Sequence, residues 1–279
     1  MRVLVASDDV GELDARTAAD VIGRAFHDHG AQVAVVVLAP DAPRPTTQAE
    51  LARLLAEGAD VVDLTALDVP DFGAALLRTF DDDPAAALDA LRRQLAGRTL
   101  TVALDGEVLD VPLTGLGGWA VNHSRESGGD IADGLAADTG ARGWLQQLGL
   151  DDGPGSGAAG GLGAILLACG ARYVDRITYA MEATGFEASA SQADVVVTGC
   201  TDLDFHAKGG VLVERVVQVG EAALRPVIVV ARRNFVSSRE LRTAGIEAAY
   251  ALTADIEPEP VTVEGFSELA RRVARTWRF

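Results

Sequence analysis

"MRVLVASDDVGELDARTAADVIGRAFHDHGAQVAVVVLAP", residues 1–40, decides the fold class. Positions 3–6 form a short apolar run, which reads as a buried strand. Residues 15–29 then place Ala18, Val21, Ile22, Ala25 and Phe26 at helical spacing, and Gly30 stops the helix. The β-branched run that follows is continuous rather than alternating, which predicts a strand covered on both faces. Strand, helix and strand in this order make a βαβ unit, and a helical crossover leaves its two strands parallel. The rhythm continues in "TTQAELARLLAEG", a helix with Thr47 as cap and Glu50 three residues on, and in "ADVVDLT", a third strand.

Residues 66–152 break that rhythm. Asp83-Pro84 reads as the cap and first residue of a helix ending at Gly97. In "RTLTVALDGEVLDVPL", Asp105-Gly106 separates two apolar runs, which is a hairpin signal. "TGLGGWAVNHSRESGGD" reads as a Gly-rich loop. From residue 153 the α/β alternation returns, with helices over 158–169, 174–184, 209–224, 237–244 and 265–277. Strands are expected at "ADVVVTG", "RPVIVVA" and "GIEAAYALT". The expected architecture is α/β: one parallel-sheet domain of residues 1–65 and 153–279, built from both chain ends, with an inserted α+β domain at 66–152.

Composition bounds the function. A chain of 279 residues with 48% hydrophobic content can bury a full core. A net charge of −17 disfavours nucleic acid and anionic membranes as partners. No apolar run approaches the ~20 residues of a membrane span, and the N-terminus reads as a strand, not a signal peptide. Cys169 and Cys200 form no disulfide framework or metal spacing, so a cytoplasmic protein is expected. An anionic metabolite remains a suitable ligand if backbone N–H groups, placed arginines or a metal receive it. Lys208 is the one lysine among 24 basic residues, in a loop.

In a parallel α/β sheet, ligands bind beyond the carboxyl ends of the strands. Three stretches lie there: "SDD" (7–9), "TGCTDLDFHAKGG" (198–210), and Arg232-Arg233. Carboxylates at such ends suit Mg2+ held together with phosphates, and they equally suit helix capping by Asp8, Asp9 and Asp14. His123 and His206 lack a metal-like partner at suitable spacing. "GPGSGAAGGLGAILLACG" (153–170) contains G-x-G-x-x-G at Gly155, Gly157 and Gly160. The dinucleotide fingerprint needs a strand just before it, and here a helix and turn precede. Two readings stay open for Gly155, Ser156, Gly157, Gly160 and Gly161: an anion site at a helix start, or close helix packing.

Together, "GPGSGAAGGLGAILLACGA", "DRITYAMEATGFEASASQADVVVTG" and "TDLDFHAKGGVLVERVVQVGEAALRPVIVVA" resemble the C-terminal half of the bacterial glycerate kinase family. "VLVASDDVGELDARTAADVIGRAF" resembles its opening strand, loop and helix. The resemblance implies a flavodoxin-like domain plus an inserted domain, shortened here. It implies phosphoryl transfer from ATP with Mg2+ to D-glycerate or a similar small hydroxy acid. It places Asp204 as base, Asp8 as Mg2+ ligand, and Gly155, Ser156, Gly157, Gly160, Gly161, Asn122, Gly199 and Lys208 around substrate or phosphate. An inactive family member that binds a metabolite is the alternative, and a homodimer is left open. Relative to the family's pattern, the opening loop "DDVG" (8–11) lacks a Lys, and "GCTDLD" (199–204) carries Asp202 in place of an Arg.

Overall fold

The computed structural model describes all residues except 68, 207, 254, 256–258 and 278–279. The strands are β1 (Arg2–Val5), β2 (Gln32–Val35), β3 (Val61–Asp63), β4 (Thr101–Leu104), β5 (Arg172–Asp175), β6 (Val195–Leu203), β7 (Val227–Asn234) and β8 (Ala248–Thr253). The helices are α1 (Ala15–Asp28), α2 (Gln48–Glu57), α3 (Ala74–Arg78), α4 (Pro84–Leu95), α5 (Trp119–Glu126) and α6 (Ile131–Leu148). Then come α7 (Leu162–Ala168), α8 (Arg176–Thr184), α9 (Phe186–Gln192), α10 (Val211–Ala222), α11 (Ser238–Thr243) and α12 (Val263–Thr276). The chain divides into two compact units, Met1–Ala39 with Ala180–Phe279, and Pro40–Tyr179.

The first unit is a five-stranded sheet in the order β2-β1-β6-β7-β8, parallel throughout. Renumbered within the unit this is 2-1-3-4-5, the flavodoxin-like order. One sheet face buries Val3, Val5, Val195, Val197, Ile228 and Val230 together with Ile22 and Phe26 of α1 and Phe266, Leu269 and Val273 of α12. The other buries Leu4, Val196 and Val229. With both faces covered, the central strands need continuous apolar runs, which is what they have. β2 departs from the expectation of a strand buried on both faces. It is an edge strand, paired on one side to β1, and it exposes Gln32, Ala34 and Val35.

The second unit carries a three-stranded parallel sheet, β3-β4-β5. Leu51, Leu55, Val62, Leu88, Leu91, Val102, Leu162, Ile165 and Leu166 build its core. The unit boundaries therefore fall at 39/40 and 179/180, not at 65/66 and 152/153. β3 pairs with β4, and β5 pairs with β4 on the other side, so residues 40–65 and 153–179 belong to this unit. The hairpin at Asp105-Gly106 does not form. Both edges of β4 are occupied by β3 and β5, and the chain turns instead through the short 3-10 segment Gly106–Val108. The Gly-rich 114–130 segment contains the helix α5. The helix expected over 174–184 begins at Arg176, because Arg172–Asp175 is drawn into the sheet. The helix expected over 158–169 is kinked: Ala159 and Gly160 adopt left-handed backbone angles before α7 starts.

Candidate functional site

Strand order in the first unit reverses between β1 and β6: the chain leaves β1 toward β2 on one side and adds β7 and β8 on the other. Beyond the carboxyl ends of such a pair the connections diverge and leave a crevice. Ser7, Asp8 and Asp9 follow β1 there, and Asp204 follows β6. The two ends are knitted together. Asp8 N–H donates to the Gly199 carbonyl at 3.0 Å, and Gly11 N–H donates to Thr201 Oγ1 at 2.9 Å. A Cβ on Gly199 would stand 2.3 Å from Ser7 Oγ, so this glycine serves the close approach of β1 to β6.

The acids here have different work. Asp9 Oδ1 accepts from Ala15 N–H at 2.7 Å and Asp14 Oδ1 from Thr17 N–H at 2.7 Å, so both cap α1. Asp8 does not cap the helix. Its Oδ1 accepts from the neighbouring Asp9 N–H at 2.9 Å, and its Oδ2 lies 3.9 Å from where a Cβ on Gly210 would stand. Gly210 is the cap residue of α10, and Gly209 and Gly210 both have positive φ, which lets the chain turn from β6 into that helix. Asp8 therefore faces the start of α10, where N–H groups lack helical partners. Gly209-Gly210 close the ligand-side stretch 198–210, and the helix expected from residue 209 begins only at Val211 because these two glycines make the turn into it.

Asp202 is tied to Arg233 by two hydrogen bonds, Nε to Oδ1 at 2.6 Å and Nη2 to Oδ2 at 2.5 Å. That pairing holds the Asp202 carboxyl below its ordinary range and raises Arg233. Asp202 thus adds no uncompensated negative charge. Arg232 is held differently: its Nη1 reaches only to 4.0 Å from Glu12 Oε1, and its Nε is buried with no acceptor among the described residues. Asp8, Asp202 and Asp204 all act on the Cys200 thiol. Burial, and then these three charges, push it up to about 12, which makes it inert at neutral pH.

Asp204 Oδ1 accepts from His206 N–H at 2.8 Å, and its carbonyl accepts from Lys208 N–H at 3.1 Å. Asp204 and Lys208 border a cavity of about 500 Å³, within the range typical of small-molecule sites. Leu203, Phe205, Val236, Leu241, Ala244 and Ile246 supply its apolar wall. Ser237 and Glu240 also line it, but they satisfy each other as a capping box on α11. Among the described residues, no three His, Cys, Asp or Glu side chains gather closely enough to hold a metal ion.

The Gly-rich stretch lies in the second unit, and packing accounts for most of it. A Cβ would stand 2.9 Å from the Leu109 carbonyl oxygen at Gly155, 2.5 Å from that of Pro112 at Gly157 and 2.2 Å from that of Val69 at Gly160. Gly161 is pressed against Leu113 and Phe72. Ser156 Oγ bonds to Asp152 and accepts from Leu113 N–H at 2.8 Å. Asn122 donates to the Gly117 carbonyl at 3.2 Å, near the start of its own helix. Gly160 borders a cavity of about 220 Å³ at the carboxyl ends of β3 and β4, with Thr65, Asp105, Trp119 and His123. The Trp119 and His123 rings stack there at 4.4 Å.

The family model described as glycerate kinase family matches residues 46–278. An uncharacterized protein of Mycobacterium bovis is 34% identical over 171 residues, covering 59% of this chain and 44% of that protein. This chain therefore spans less than half of that relative's length. A glycerate kinase of Bacillus subtilis is 27% identical over 267 residues, 93% of this chain and 67% of its own length. The solved glycerate kinase 2 of Salmonella typhimurium LT2 superposes with a TM-score of 0.68 at 19% identity, over 99% of this chain and 96% of that one, a likeness of fold. A family match that runs through most of both units makes this chain a member of the glycerate kinase family.

Proposed function

We propose that the chain transfers a phosphoryl group from ATP to D-glycerate or a closely similar small hydroxy acid. The observation that carries this reading is the reversal of strand order between β1 and β6, with Asp8 and Asp204 beyond the two strand ends and Gly209-Gly210 opening α10 beside Asp8. Phosphoryl transfer asks a protein mainly for positioning and charge neutralisation. In this reading the Asp204 carboxylate orients the acceptor hydroxyl and takes its proton. Backbone N–H groups at the start of α10, with Lys208, receive phosphate oxygens. The apolar cavity beside Asp204 suits the base of the nucleotide, with Phe205 at its rim.

The donor set fits Mg2+ as it binds with phosphates, since that ion takes one or two carboxylates and keeps several waters. Asp8 would hold the ion, which when bound neutralises charge on the transferring group. The Gly-rich stretch enters this reading through Gly160, at the small cavity of the second unit.

A second reading, a member that binds without turnover, draws on the Asp202–Arg233 pair, which consumes a cation at the carboxyl edge. Turnover of ATP with D-glycerate and Mg2+ separates the two. Loss of turnover by a factor on the order of 10²–10⁴ in Asp204→Asn, the worth of a positioned general base, supports the kinase. Binding of glycerate or nucleotide with no turnover in the parent chain overturns it.

A further inference from the structure

We propose that the first unit carries a second anion site, specific for a compact polyphosphate, in the groove lined by Arg271, Arg272 and Arg275 of α12. The groove has a volume of about 540 Å³ and is completed by His29, Leu252, Gly265 and Glu268. It shares no residue with the cavity at Asp204. His29 follows the end of α1 just before β2 begins, at the amino edge of the sheet, while Leu252 lies near the carboxyl end of β8, so the groove runs along α12 between the two edges.

Charge is the first argument. The chain carries 41 acidic and 24 basic residues. Among the described residues ten arginines pair with an acid, while others such as Arg24 and Arg125 do not; what sets the three of α12 apart is that they line one groove. Arg53 pairs with Glu57 and Arg142 with Asp138 at helical spacing. Arg271, Arg272 and Arg275 have no carboxylate partner among the described residues, although Glu268 lines the same groove. Arg271 and Arg275 are four residues apart, and Arg272 and Arg275 three, so they face each other along one helix. Like charges at these spacings destabilise a helix unless something neutralises them.

Geometry is the second. Three guanidinium groups around one groove present several planar forks, each able to take two oxygens of a phosphate. A monoanion would satisfy one fork, whereas a diphosphate or triphosphate reaches two or three. His29 Nδ1 lies 2.8 Å from the Ala25 carbonyl, which fixes the ring at the groove's end. The ligand class is therefore a polyphosphate group, free or carried on a nucleotide.

Titration calorimetry of the full chain with inorganic pyrophosphate, inorganic phosphate and ADP tests this. Pyrophosphate should bind more tightly than phosphate, with an affinity that falls steeply with salt. The double variant Arg272→Gln/Arg275→Gln should weaken pyrophosphate binding by about tenfold or more for each guanidinium removed, and should melt no lower than the parent. Ala244→Trp, which fills the cavity at Asp204, should leave pyrophosphate binding intact. ADP binding that exceeds pyrophosphate binding, and falls with the arginines, assigns the group to a nucleotide. Absence of pyrophosphate binding overturns the proposal. So does binding that survives the double variant, or binding lost in Ala244→Trp alone. Turnover of ATP with D-glycerate, measured separately on the same variants, tests the kinase reading.

Discussion

Gly160→Ala tests whether the Gly-rich stretch is there for packing. Gly160 has φ +70, and an added Cβ would stand 2.2 Å from the Val69 carbonyl oxygen and 2.8 Å from Val69 Cβ. Holding an alanine in the left-handed region costs about 1–2 kcal/mol. Forcing a methyl into a filled site against backbone costs about 1–3 kcal/mol. The two together give a loss of roughly 2–5 kcal/mol, which in a unit of this size lowers the melting temperature by on the order of 10 °C. Gly140 and Gly143 of α6 are the internal control. Nothing lies within 4 Å of a Cβ at either, so alanine there should stabilise by about 1 kcal/mol each through helix propensity. Scanning calorimetry of the three variants, with nucleotide and glycerate titrations alongside, reads both effects. If Gly160→Ala melts with the parent yet loses ligand affinity, the packing argument is wrong and the glycine is held by its ligand.

Three further outcomes follow from the site geometry. Arg232→Met keeps the packed stem and removes the charge; if Arg232 neutralises phosphate, turnover should fall on the order of 10²-fold, and an unchanged rate confines Arg232 to its partner Glu12. Cys200, with its thiol pushed up to about 12, should resist alkylation at pH 8 in the native chain and react on unfolding, so rapid native labelling would contradict its burial. Burial pushes the Asp152 carboxyl up, but hydrogen bonds from Ser156, Thr114 and Leu113 outweigh it and hold the carboxyl below its ordinary range. A depressed folded value means the carboxylate stabilises the fold above its unfolded value of about 3.9, and this stabilisation is lost as pH falls through the folded value. Urea melts should therefore show a weaker acid-side slope in Asp152→Asn than in the parent, and parallel slopes would refute the linkage.

Much of the fold was legible because its signals are local. The helical spacing in residues 15–29, the Thr47 cap, Asp83-Pro84 and the apolar runs at 193–199 and 225–231 each depend on neighbours a few residues away. These elements appear as α1, α2, α4, β6 and β7. The carboxyl-edge position of Asp8 and Asp204 was legible for the same reason: strand direction and strand end are enough to place them. Asp105-Gly106 misled because a turn signal says nothing about which strand is free to pair, and β3 and β5 already flank β4.

The remaining distinctions are contacts between residues far apart in the chain. Asp202 is 31 residues from Arg233, so its added charge could be seen in the sequence but its neutralisation could not. Gly160 is close to Val69 only once the second sheet has formed, so six glycines between 153 and 163 read equally well as an anion loop and as packing. The unit boundary at 39/40 likewise follows from β3 pairing with β4 rather than with β1 or β2, a choice made by shared core burial and not by any residue near the boundary. Local periodicity and capping write the elements into the chain. Pairing, close approach and charge compensation are set only when the core brings distant segments together.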